Sequence, residues 1–161
     1  AKTKADGTLI IPINIPDGSM YNAELVTKDV TKLIATSDNY GGDIRTIAVD
    51  DNYVYVGGYD TRTVKKLNKT NLSQVAESAS YGGTIRAIAT DDNYVYVGGE
   101  TTRTVKKLNK SDLSPVAESV SYGGNIWAIA TDDNYVYVGG ADTRIVKKLG
   151  GTQIKELIRV V

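Results

Sequence analysis

The stretch "DDNYVYVGG" occupies residues 50–58, and the same nine residues return at 91–99 and 132–140, a stride of 41. Inside it Tyr53 and Tyr55 alternate with Val54 and Val56. Alternation with a period of two is that of a β-strand, whose successive side chains point to opposite faces. Here both faces carry bulk, so the strand is expected to be covered on both sides. Asp50-Asp51-Asn52 suits a tight antiparallel connection, because Asp and Asn side chains hydrogen-bond nearby backbone and tolerate left-handed conformations. Gly57-Gly58 is read as the stop at the far end.

Working outward, residues 40–80 and 81–121 align without a gap and differ at nine of 41 positions, and a third copy runs from Tyr122 to Leu149. Each copy holds four runs rich in Val, Ile, Tyr and Thr, separated by Asp, Asn, Gly and Ser, which is strand-and-turn chemistry rather than helical periodicity. In the first copy the expected strands are Ile44–Val49, Tyr53–Val56, Thr63–Asn68 and Gln74–Ser78. Tandem repeats of about 40 residues made of four strands predict propeller blades, each of which must pack against a neighbour to bury both faces. The lysine pairs Lys65-Lys66, Lys106-Lys107 and Lys147-Lys148 are read as solvated residues that blunt sheet edges.

The pattern "IRAIATDDNYVYVGG" followed by "TVKKLNKSDLSPVAES" resembles the YVTN and NHL-like β-propeller repeats, over residues 40–149. The resemblance implies an innermost strand, a Tyr-Val strand and two outer strands per blade. It also implies a binding or scaffolding module, since most propellers of this type act so. The predicted fold class is therefore all-β, a propeller of four-stranded blades, with a β-trefoil as the alternative.

The ends are less regular. Residues 23–42 align on 64–83, so 23–39 is expected to supply the outer strands of a partial blade ahead of the blades 40–80, 81–121 and 122–161. Residues 1–22 form an N-terminal segment in which "LIIPINIP" reads as a degenerate second strand, although its prolines suit only an edge or a bulge. Residues 154–161 are expected to form a fourth strand for the last blade. Three complete blades and one partial blade leave exposed apolar faces, and the favoured reading is a homodimer that completes a larger ring, with a closed four-bladed monomer as the alternative.

Composition narrows the function. Nineteen basic residues balance nineteen acidic ones, so no net field draws the chain to nucleic acid. There is no cysteine, hence no disulfide or thiol chemistry, and no histidine, the commonest general base and transition-metal ligand. The longest apolar run, Leu9–Ile15, is far short of the roughly 20 residues of a membrane-spanning helix. Ala1–Asp6 lacks the apolar stretch of a signal peptide, so the chain is expected to be intracellular at synthesis or already processed. Adjacent aspartates point apart in extended chain and no D-x-D-x-D-G loop occurs, so no metal, cofactor or catalytic residue is assigned.

Where the copies differ, a ligand face is expected. In a propeller the blade-joining loops and the loops between second and third strands emerge together. The first set offers Asp43, Arg45, Thr84, Arg86, Asn125 and Trp127 as candidate binding residues. The second offers Tyr59, Arg62, Glu100, Arg103 and Arg144. Arginine and tryptophan dominate interface hot spots and stack on sugars or peptides. Against this stand loop drift with arginine–carboxylate pairing, and a Trp127 that simply fills a gap between unlike blades. The expected function is a non-enzymatic interaction module with a protein or glycan ligand, of a kind suited to a phage virion or bacterial surface. A lectin-like propeller is the alternative, and an enzyme using channel carboxylates the third reading.

Overall fold

The computed structural model describes residues 32–150, together with the backbone of three short strands upstream. Those strands, β1 (Lys2–Thr3), β2 (Leu9–Asn14) and β3 (Met20–Leu25), form an antiparallel sheet in the order β1-β2-β3. It belongs to a unit spanning Ala1–Ile34, separate from the unit Ala35–Val161. Pro12 sits in β2 opposite Asn22, beyond Leu9 and Ile10, which alone pair with β1. The alignment of 23–39 on outer strands meets no strand over 32–39, and residues 26–31 lie outside the described residues, as does the expected strand 154–161.

The second unit is built from consecutive antiparallel meanders. The first blade comprises β4 (Ile44–Val49), β5 (Tyr53–Gly58), β6 (Lys65–Asn68) and β7 (Gln74–Glu77), hydrogen-bonded in that order. The second comprises β8 (Ile85–Thr90), β9 (Tyr94–Gly99), β10 (Lys106–Asn109) and β11 (Pro115–Glu118). The third has β12 (Ile126–Thr131), β13 (Tyr135–Gly140) and β14 (Lys147–Gly150), where the described residues end. The first strands β4, β8 and β12 lie beside one another from blade to blade, so they form the inner end of the arc. This is a β-propeller architecture, not a trefoil. Among the described residues there is no helix.

Three strand boundaries differ from the sequence reading. The second strand runs through both glycines, because Gly57 pairs with Thr46 and Gly58 with Ile44. A side chain at Gly58 would collide with the Asp43 carbonyl, so glycine here permits close pairing rather than stopping the strand. The third strand starts at Lys65, because the preceding loop takes left-handed backbone at Asp60 and Arg62 (φ 63° and 56°). The fourth ends at Glu77; the Ser78 hydroxyl instead accepts the Val64 N–H at 2.8 Å.

The blades stack face to face, and the alternation inside "YVYV" decides how. Tyr55, fully buried, packs with Ile85, Ile88, Val95 and Val97 of the second blade. Tyr96 and Ala87 of the second blade pack in the same way with Ile126, Val136 and Val138 of the third. Each blade thus has a trailing tyrosine face and a leading Ile/Val face, and the trailing face of one covers the leading face of the next. The chain passing between blades is tied down at the same place each time. The Tyr81 N–H donates to the Arg62 carbonyl at 2.7 Å and its hydroxyl to the Thr104 carbonyl at 2.7 Å, and Tyr122 repeats the backbone bond to Arg103. Gly41, Gly82 and Gly123 enter these tethers at φ 96°, 97° and 92°, a conformation that glycine adopts without penalty.

The lysine pairs are not uniformly solvated. Lys66 is buried between the first and second blades, where its ammonium donates to the carbonyls of Lys110 at 2.7 Å and Ser111 at 3.0 Å. It also lies 3.9 Å from the centre of the Tyr53 ring. A long apolar stem lets lysine line an apolar interface while its head group finds acceptors at the edge. Its burial lowers its pKa, yet the two carbonyls and the ring satisfy the charge.

Candidate interaction surfaces

The two ends of the arc present different chemistry. At one end the blade-joining loops interleave with the loops between second and third strands, as the sequence reading requires. The Tyr59 N–H donates to the Asp43 carbonyl at 3.0 Å, Glu100 N–H to Thr84 at 3.0 Å, and Ala141 N–H to Asn125 at 3.1 Å. The candidate residues are therefore brought to one face, in three repeats of the same geometry.

Their side chains are not equivalent. Arg45 pairs with Asp43 at 2.7 Å, both largely exposed, a contact worth little in water. Arg86 pairs across loops with Glu100, its two nitrogens 2.6 and 2.8 Å from Oε1. Thr84 is buried, so it offers its backbone rather than its side chain. In the third blade the Asn125 N–H donates to the Asp142 carboxylate at 3.3 Å, and the place of the arginine is taken by Trp127, 59% exposed. No blade of the described chain covers Trp127. Tyr59 is likewise exposed. Arg62, Arg103 and Arg144 hold left-handed backbone at φ 56°, 57° and 54°, and the first two give their carbonyls to the blade tethers, so their backbones serve the fold while their side chains remain on the face.

The opposite end carries a feature that sequence reasoning treated only as scaffold. The Asp-Asp-Asn turns of all three blades border one open cleft of about 1150 Å³, with Lys66 and Lys110 in its wall. The first aspartate of each turn is committed to local structure. Asp50 accepts the N–H of Asn52 at 2.8 Å and of Tyr53 at 2.7 Å through Oδ1, and the Tyr55 hydroxyl at 2.9 Å through Oδ2. Asp91 and Asp132 repeat all three bonds. Among the described residues no group of three or more acidic side chains stands close enough to hold a metal ion. The three turns read alike in sequence, and only stacking brings them to one cleft.

Asp50 also meets the Lys110 ammonium of the next blade at 2.9 Å. Burial pushes its pKa up, but Lys110, the two backbone N–H groups and the Tyr55 hydroxyl outweigh that and bring it down to about 2. A depressed carboxylate pKa contributes stability above the unfolded value near 4, and loses it as pH falls through the folded value. Asp50→Asn is therefore expected to cost roughly 1 kcal/mol at neutral pH, the usual worth of such a hydrogen-bonding group. Urea denaturation at a series of pH values should show that gap closing between about pH 4 and pH 2; a gap of constant size would contradict the assignment.

No protein-family model and no curated protein sequence matches the chain. Solved structures do. The chain is similar to the computationally designed Ika4 protein at 20% identity and a TM-score of 0.65, with 88% of this chain and 84% of that one aligned. The computationally designed Ika8 protein aligns over 93% of this chain but 44% of its own, with a TM-score of 0.66 and 20% identity. The WD40 β-propeller domain of Doa1 aligns over 71% of this chain and 40% of its own, with a TM-score of 0.60 and 18% identity. At these identities the likeness concerns the fold, which is that of a propeller-like repeat protein.

Proposed function

We propose that the chain is a non-enzymatic interaction module of the YVTN and NHL-like repeat type, binding a protein ligand through the face of residues 41–45, 59–62 and their equivalents. The observation that carries this reading is the position of Trp127. Three near-identical loops converge there; two present arginines already paired with carboxylates, and the third presents a large exposed aromatic ring. Such rings supply contact area at low entropic cost and dominate hot spots. A fold in which framework residues repeat while this face varies suits a structural or receptor-binding component of a virion or bacterial surface.

Exposed Trp127 and Tyr59 also favour a lectin-like second reading, since flat aromatic rings stack on sugars. Immobilised protein should capture a ligand from bacterial surface extracts and lose it at least tenfold on Trp127→Ala, with Asp133→Ser at the opposite end unchanged. A glycan array read with the same variants separates the two ligand classes. Equal loss from both variants, or binding untouched by Trp127→Ala, would sink the assignment of this face.

A further inference from the structure

Among the described residues the inner parts of the arc's two outer faces are uncovered, and they match each other. On the leading face of the first blade Ile44 and Ile47 are 51% and 59% exposed, whereas their equivalents Ile85 and Ile88 are 0% and 7% exposed beneath the first blade. On the trailing face of the third blade Tyr135 and Lys148 are exposed, although Lys148 already lies 3.4 Å from the Tyr135 ring centre, as Lys66 does over Tyr53. Glycine gives the sharpest contrast. A side chain at Gly57 would strike Ile85 and Ile88, one at Gly98 would strike Ile126 and Ile129, and at Gly139 nothing described lies within 4 Å.

The geometry points to a second copy of this chain as the occupant of both faces. The first blade of one copy seats on the third blade of the other, head to tail, in the register already used twice inside the chain. The occupant is argued from that internal template. Repeating the blade-one-to-blade-two contact places Ile44 and Ile47 of one copy over Gly139 and Tyr137 of its partner. It also sets Lys69 against Asp132. Lys69 is the equivalent of Lys110 and holds the same pose, its ammonium donating to its own turn carbonyl Asp50 at 2.8 Å as Lys110 does to Asp91 at 2.7 Å. Lys110 spans from there to the Asp50 carboxylate of the preceding blade, and Lys69 would span to Asp132. Lys148 would donate to the carbonyls of Lys69 and Thr70, as Lys66 does to Lys110 and Ser111.

A head-to-tail contact closes a ring or grows without limit. Two chains bring at least the six blades of the two arcs, inside the roughly 4 to 8 of known propellers, so the proposed ring holds two chains. The inference stands apart from the ligand face.

Light scattering on the 161-residue chain should report about twice 17.3 kDa. Gly139→Val blocks the trailing face without disturbing the chain that carries it, since the site is open and its φ lies outside the left-handed region. Ile47→Asp blocks the leading face. Each variant alone should run as a folded monomer by light scattering and circular dichroism. An equimolar mixture should give a one-to-one dimer, because one intact pair of faces remains. Lys69→Glu, which sets a carboxylate against Asp132, should weaken the wild-type dimer about tenfold or more. A wild-type monomer, whose faces are then covered by its own N-terminal residues or left open, overturns the proposal. So does a dimer that survives either blocking variant alone, or an assembly larger than two chains.

Discussion

Tyr55→Ala is expected to lower the stability of the chain by about 3–5 kcal/mol, the range for truncating a large aromatic side chain in a core. Tyr55 is fully buried between the first and second blades among Ile85, Val95 and Val97. Its removal opens a cavity at a seam whose two walls are β-sheets, each pinned by its own hydrogen bonds, so little collapse can offset the loss. Its hydroxyl, which donates to Asp50, goes as well. The matching substitution in the third blade, Tyr137→Ala, should cost less in dilute protein, because Tyr137 is only partly buried. Urea unfolding of both variants at low concentration, read as the shift in midpoint at constant m-value, makes the comparison. Equal losses would mean that the two tyrosines sit in equivalent surroundings, against the stacking described.

Gly98→Val should cost about 1–3 kcal/mol by overpacking. A Cβ at residue 98 lies 2.7 Å from Ile126 Cγ2 and 2.8 Å from Ile129 Cδ1, with Ile126 itself fully buried, so the third blade must move away. The same substitution at Gly139 should change the stability of the isolated chain by no more than about 0.5 kcal/mol, the ordinary range for a surface site. Thermal melts of the two variants at low concentration test this directly. A Gly98→Val protein as stable as wild type would show that the second and third blades do not touch there.

The resemblance between blades and the strands within them were legible in the residues. Strand β4 spans Ile44–Val49 as expected, and the alternation of Tyr53 and Tyr55 with Val54 and Val56 assigned the two faces correctly. The expectation that Arg45, Arg86 and Trp127 share one face rests on repeat topology, because equivalent loops of stacked copies must emerge together. What was missed lies between repeats. Lys66 reads as an edge lysine in its own strand, and only the neighbouring blade supplies the two carbonyls that make burial tolerable. The cleft bordered by the Asp-Asp-Asn turns was likewise hidden, since each turn alone is fully explained by the backbone that it caps.

The nine residues 50–58, 91–99 and 132–140 show where that division falls. Their turn is set by side-chain bonds reaching five residues or fewer along the chain, their strand by pairing within one blade, and both recur wherever the sequence recurs. Their burial is set by whatever packs against the faces, across 40 residues or from another molecule. Gly57, Gly98 and Gly139, or Lys66, Lys107 and Lys148, are the same residue in the same local setting and meet a crowded seam in one blade and open space in another. Sequence by itself determined the blade; tertiary stacking decided which of its faces are core and which remain to be covered, because the hydrophobic effect acts on area removed from water and not on local pattern.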